Sequence, residues 1–336
     1  MSSSLLITLT ILLGSAGTIY LACEYFVNGV EWTGRKLAVG QQATASILAA
    51  IGTALPESVI TFLAVVFGSS PEEKNLGVGA AMGGPLVLAT IAYAVVGFTL
   101  ILSRQRLPDT PVIRREFRRL SRDQGWFLAV FAAKAILGVV VFAWKPWLGI
   151  VFLAVYALFF WQEMRSEEPL ADTETDPLKF APGCEEPAAW QAHLQTLVAL
   201  VVIFWASHVF VNQLDSLAPQ LGAPSQLLAL LLAPIATELP EIMNAVIWVR
   251  QGKHRLALAN ISGSMMIQAT VPTALGLFFT PWVFDRSLVV AAVVTFAAIL
   301  LMFLFFRQGR GSRALLTSAL LFYLAFAVIT LLLGQV

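Results

Sequence analysis

Histidine and cysteine are scarce in this chain of 336 residues, with three of the first and two of the second. No two histidines stand at ligand spacing, no H-E-x-x-H run occurs, and Cys23 and Cys184 lie far apart in unlike contexts. These absences exclude a zinc module, a disulfide framework and a redox thiol pair, and leave the cysteines as free thiols. No serine is set between glycines as a nucleophile elbow, and no pair of aspartates enters an apolar run. The chain is therefore expected not to be an enzyme and to need no cofactor. Charge is the third scarcity. Only 12% of residues are charged against 58% hydrophobic, and the mean hydropathy is +0.80, which does not describe a soluble globule. A net charge of +1 offers no footprint for nucleic acid.

What is present is a series of long apolar runs. A bilayer needs about 20 apolar residues per helix, and ten runs meet that need, near 4–29, 42–68, 71–102, 125–143, 146–163, 189–214, 224–249, 255–280, 286–306 and 313–334. The expected fold is an all-α polytopic membrane protein of ten transmembrane helices. The first run lacks a basic leader and is expected to be retained as a helix. Ser70, Pro71 and Glu73 form a start signal for the third helix. Arginines 104, 106, 114, 115, 118, 119 and 122 crowd the connection after it, which marks that side as cytoplasmic. Counting alternately from there, only Lys74, Lys145 and Arg286 fall on the outer side, and both termini face out of what is expected to be the cell membrane. Residues 164–188, rich in Asp and Glu, read as a solvated cytoplasmic linker between a first half, 1–163, and a second, 189–336.

Two of the apolar runs carry carboxylates. Ala236 to Glu241 reads A-T-E-L-P-E, and Gly52 to Glu57 reads G-T-A-L-P-E. A charge at mid-membrane costs about 2.5–3.5 kcal/mol even on the lenient insertion scale, so packing alone does not ask for either. Phe26-Val27-Asn28 precedes Glu57 by the same 31 residues that separate Phe210-Val211-Asn212 from Glu241. The acidic helices lie five spans apart and so enter the membrane from opposite sides, as in two inverted five-helix repeats with a site where they meet.

Helical spacing then sets the chemistry. Thr53 with Glu57, and Thr237 with Glu241, are four apart and share a face. Pro56 and Pro240 lack an N–H and free the carbonyls of Gly52 and Ala236 as further oxygen donors. Glu238 is placed to join Glu241, and Ser264 and Gln268, four apart, to line the same site. Only hard oxygen ligands are offered, which suits Na⁺, Ca²⁺ or H⁺ and excludes soft metals. Blander readings stand beside these. Glu238 can pair with a buried base, threonine can bond its own backbone, and Ser264 and Gln268 can bridge helices. Lys134, alone in the fourth helix, is either structural or a partner of a site acid. His208 reads as packing, and Glu24 and Asp215 as residues near helix ends.

The run from Gly29 to Glu57, G-V-E-W-T-G-R-K-L-A-V-G-Q-Q-A-T-A-S-I-L-A-A-I-G-T-A-L-P-E, resembles the first alpha repeat of the sodium/calcium exchangers of the calcium/cation antiporter superfamily. A-P-I-A-T-E-L-P-E with N-I-S-G-S-M-M-I-Q resembles the second. The resemblance implies Glu57 and Glu241 as central cation ligands, Thr53 and Thr237 as hydroxyl or carbonyl ligands, and Ser264 and Gln268 at the polar positions of the second repeat. It also implies exchange of Ca²⁺ for Na⁺ or H⁺ by alternating access, with the first and sixth helices as the moving gate. The partners are then inorganic cations and the bilayer. The chain departs from the family pattern at Ala54, Glu238, Gly84 and Leu88, losing oxygens in the first half and gaining a carboxylate in the second. Those losses leave monovalent cation/proton exchange as the alternative, and a channel as a more distant one.

Overall fold

The computed structural model describes residues 3–40, 43–67, 70–105, 107, 110–165, 175–220 and 231–333. Every regular element among them is helical. The α-helices are α1 (Ser3–Lys36), α2 (Ala50–Phe62), α3 (Pro71–Val87), α4 (Tyr93–Leu102), α5 (Pro111–Val139) and α6 (Leu148–Arg165). They are followed by α7 (Ala189–Gln220), α8 (Ala233–Thr237), α9 (Leu239–Arg250), α10 (His254–Phe279), α11 (Arg286–Arg307) and α12 (Arg313–Leu333). π-Helical turns at Thr44–Ala49 and Leu63–Phe67 flank α2, and another at Leu88–Ala92 joins α3 to α4. Among the described residues seven helical stretches are long and apolar enough to cross a membrane.

Two departures from the sequence expectation have a clear local reason. The fourth helix begins at Pro111, not near 125, because the Thr110 hydroxyl accepts the Ile113 N–H at 3.3 Å and Pro111 takes the first turn. The arginine-rich connection is thus largely helix. The seventh run is broken at Glu238, whose φ of −85° and ψ of 3° separate α8 from α9, two residues before a proline that cannot donate to the turn behind it. Residues 221–230 of that run lie outside the described residues.

Burial sorts the helices into an inner and an outer set. In α10 83% of the apolar window is buried, against 22% in α1 and 28% in α12, so α10 is the axis of the bundle and the outer helices turn apolar side chains outward. It packs against α2, α3, α5, α6 and α9. At Gly263 it crosses the π-turn Thr44–Ala49 so closely that a Cβ would land on the main chain of Ser46. The helices α1 and α7 lie along one another on the outside.

Several basic residues gather at one end of the described helices. Lys253 pairs with buried Glu31 at 2.5 Å, and Glu31 also accepts the Trp248 indole N–H at 2.8 Å. His254 meets Gln105 at 2.7 Å, Arg255 lies 3.7 Å from Glu116, and Arg122 pairs with buried Glu163. Two turns at this end close in the same way. Gly252 and Gly309 adopt positive φ just past α9 and α11, and the following residues donate back to Trp248 O and Phe305 O. At the other end Lys145 donates to the carbonyls of Val140, Pro281 and Trp282.

The described part of the linker is docked, not solvated throughout. Asn28 and Trp32 of α1 donate to the Asp176 carbonyl at 3.1 and 2.9 Å, Lys179 N–H returns to Asn28 Oδ1 at 3.0 Å, and Gln195 of α7 bonds Asn28 and Phe180. Leu178 is fully buried with Trp32 and Ala192. The segment therefore straps α1 to α7. Exposed Glu186 adds pairs to Arg35 and Lys36, both at 2.8 Å. Lys36, hydrogen-bonded to it, with Arg35 alongside, holds the Glu186 carboxyl below its ordinary value. A depressed carboxylate contributes above its ordinary pKa and is lost as pH falls through the lowered one. Protection against hydrogen exchange across residues 182–188 is accordingly expected to fall below about pH 4, and Glu186→Gln to show the low protection already at pH 7. Equal protection at both pH values would contradict this.

Candidate cation site

The site forms where the broken run α8–α9 meets α2 and α10. Glu238 sits at the break itself and Glu241 in the first turn of α9. Both are buried, at 0% and 1% exposure. The Gln268 amide of α10 donates to Glu238 Oε1 at 2.8 Å, which joins the two halves of the sequence motif N-I-S-G-S-M-M-I-Q and A-T-E-L-P-E in space. Glu241 lies within electrostatic reach of Glu238 and against the Thr53 hydroxyl of α2. Neither Glu241 oxygen has a hydrogen-bond donor among the described residues. The Thr53 hydroxyl stands against Glu241 and is also within 3.1 Å of the Ala49 carbonyl. Two buried carboxylates this close to one another are eased by a cation or a proton between them.

The remaining expected residues fall out unevenly. Ser264 is fully buried in α10 with no hydrogen-bond partner for its hydroxyl among the described residues. Thr237 is half-buried and donates to the Pro234 carbonyl at 3.1 Å, so its hydroxyl serves the end of α8 while its lone pairs stay available. The backbone of Glu57 belongs to α2, one turn past Thr53, but its side chain lies outside the described residues, as do those of Leu55 and Pro56.

Two residues were not singled out by the sequence reading. Asn244, three after Glu241, and Asn260, four before Ser264, are fully buried with both amide atoms unbonded among the described residues. The signal was present: Asn260, Ser264 and Gln268 recur every four residues and line one face of α10. Among the described residues no three His, Cys, Asp or Glu side chains cluster as for a resident metal.

A helical bundle with long apolar helices around a buried carboxylate, hydroxyl and amide site defines an integral, multi-pass membrane transporter. The chain belongs to the sodium/calcium exchanger protein family, whose model matches residues 7–162 and 192–334. It is 25% identical over 294 residues to the "Putative antiporter CaxA" of Alkalimonas amylolytica, covering 84% of each. It is 24% identical over 297 residues to the inner membrane protein YrbG of Escherichia coli, covering 82% of each. Its fold matches that of the sodium-calcium exchanger NCX_Mj soaked in 10 mM Na⁺ without Ca²⁺, with a TM-score of 0.73 at 18% identity over 96% of this chain and 98% of the other. The protein is a cation antiporter and not an enzyme.

Proposed function

We propose that the protein exchanges Ca²⁺ for Na⁺ by alternating access at a mid-membrane site made of Glu57, Glu241, Thr53, Thr237, Glu238, Ser264 and Gln268. The observation that carries this is Glu241: a carboxylate buried at 1% exposure, within electrostatic reach of a second buried carboxylate, Glu238, and against the Thr53 hydroxyl. Such a group is too costly to carry empty through a dehydrated intermediate. Only loaded or protonated forms then interconvert, and exchange follows in place of leak. Ca²⁺ takes six to eight oxygens; Glu238, absent from the family pattern, and Asn244 and Asn260 make up for those missing from the first half. Monovalent exchange without Ca²⁺ and a channel are both disfavoured by family membership.

The same reading covers architecture. Seven long helices supplemented by the apolar run 44–67, the apolar half of α5 and the broken run α8–α9 support ten spans. We read these as two inverted repeats, 1–163 and 189–336, joined by 164–188. The basic end is then cytoplasmic and both termini lie outside the cell membrane. The test is radioactive calcium uptake into sodium-loaded proteoliposomes diluted into sodium-free buffer, beside Glu57→Gln and Glu241→Gln. Uptake that both variants abolish is the expected result. No uptake by intact, folded protein overturns the calcium assignment.

A further inference from the structure

The helix that carries Glu241 is short and interrupted at each end. α9 starts at the break of Glu238 and stops at the turn of Gly252, whose φ is 77°. Its far end is tied to α1 by one buried carboxylate. Glu31 accepts the Trp248 indole N–H on one oxygen at 2.8 Å and the Lys253 ammonium on the other at 2.5 Å. Lys253 N–H in turn donates to the Trp248 carbonyl at 2.8 Å, so both donors belong to a single turn. Trp248 lies seven residues after Glu241, two turns and about 10 Å along the same face. On α1 the buried residues Cys23, Phe26, Val27, Val30 and Glu31 form one stripe at helical spacing. At one end of the stripe the Cys23 thiol approaches the carbonyl of Pro240, the neighbour of Glu241, at 3.7 Å. Midway the Phe26 ring fills the space beside Gly52, where a Cβ would fall 2.8 Å from it. The seam between α1 and α9 is thus an apolar plug that runs from the site to the basic end, and an ionic clamp shuts it there.

We propose that Glu31 is a positioning residue for the exchange: with Trp248 and Lys253 it forms a latch between α1 and α9 that closes the site toward the basic end and must release for a cation to pass there. The inference rests on the reading of the site given above. A paired charge suits this task better than interlocked apolar side chains. Desolvation offsets most of the attraction within a buried ion pair, so the clamp fixes register at little net gain in stability and gives way cheaply once water reaches it. The Lys253 side chain, 16% exposed, is where water enters. With the latch shut, α9 is pinned at Trp248. With it open, α9 turns about the break at Glu238 and carries Glu241 with it. A pair that only holds the fold together would keep Cys23 covered in every state and would tolerate being tied.

The chain's own two thiols report on the latch. Cys23 is buried under it, and Cys184 is exposed on the strap, two residues from the Glu186 that pairs with Arg35 and Lys36 at the basic end. A membrane-impermeant thiol reagent is added outside sealed vesicles holding the full chain, and intact mass is read for each molecule. In Glu31→Gln and Lys253→Met, Cys23 is expected to react on the order of tenfold faster than in wild type, and only in molecules whose Cys184 is also modified. Lys253→Arg is expected to restore the wild-type rate. An unchanged rate in both folded variants, or molecules modified at Cys23 alone, overturns the proposal; the latter would mean general loosening or opening at the other end. Should E31Q fail to fold, K253M carries the measurement. A second experiment ties the latch. E31C/K253C in a C184S background is joined by a short, reducible bifunctional thiol reagent, and calcium uptake into sodium-loaded vesicles is expected to fall to background and return on reduction. Unchanged uptake by fully joined protein overturns the proposal. The labelling measurement needs no transport, so it stands even if wild type moves no calcium, a result that sinks the calcium assignment separately.

Discussion

Glu241→Gln is expected to reduce calcium uptake to the background of empty vesicles, while Glu241→Met is expected to melt at a higher temperature than the cation-free wild type. The two results have one cause. A desolvated contact between a carboxylate and its counter-charge is worth about 3 kcal/mol or more. Since about 1.4 kcal/mol is a factor of ten, losing the Glu241 charge costs on the order of 100-fold in calcium affinity. Without the ion the same carboxylate is a liability, buried with no donor on either oxygen among the described residues. Replacing a buried ionic group by an apolar one of similar volume is commonly neutral to stabilising by about 1–4 kcal/mol. The measurements are uptake at fixed protein density and Tm in calcium-free, sodium-free detergent. Equal or lower Tm for E241M would mean that Glu241 has a structural partner and is no exposed ligand.

Gly263→Ala is expected to cost most of the folded protein. The added methyl falls on the Ser46 main chain, with the Cα at 2.5 Å and the carbonyl oxygen closer still. Backbone, unlike the end of a side chain, does not swing aside, and overpacking a tight core costs about 1–3 kcal/mol. The crossing lies one residue from Ser264 and between α10 and the turn that leads into Thr53. Any displacement that relieves the clash therefore also moves ligands on both sides of the site. Folded yield by size-exclusion chromatography and uptake per folded molecule are both expected to fall. Gly79→Ala, at a glycine with nothing within 4 Å of the new methyl, is the matched control and is expected to leave both unchanged. Wild-type uptake by G263A would show that α10 can shift freely against the first half.

Much of this was legible from residue order. The A-T-E-L-P-E run pointed to the buried carboxylates Glu238 and Glu241, because a carboxylate in an apolar run has few structural reasons to be there; the Glu57 side chain of the G-T-A-L-P-E run lies outside the described residues. Gln268 meeting Glu238 follows from the same logic, although no spacing rule could bring residues 30 apart onto a 2.8 Å bond. The start of α5 was missed although Thr110-Pro111 is a good cap, since seven arginines look like a loop to a hydropathy window, while five of them, Arg114, Arg115, Arg118, Arg119 and Arg122, lie on the helix. The docking of residues 176–186 was not readable at all. It depends on Asn28, Trp32 and Gln195 satisfying main-chain groups about 150 residues away for the first two, and neither composition nor period encodes such partners. Lys134 was visible as an anomaly, but its bonds to the Ala81 and Gln268 carbonyls, 53 and 134 residues away, were not readable from order.

The break at Glu238 also bears on how quickly an ion departs. It places Glu241 in the first turn of α9, where the unpaired N–H groups of a helix start carry roughly half a positive charge. That partial charge leans against any cation bound there and is worth about 0.3–2 kcal/mol, depending on burial. In dwell time this is a shortening of up to about 30-fold. A carrier earns its throughput from release as much as from capture, and an unbroken helix carrying the same two acids would hold calcium longer and turn over more slowly.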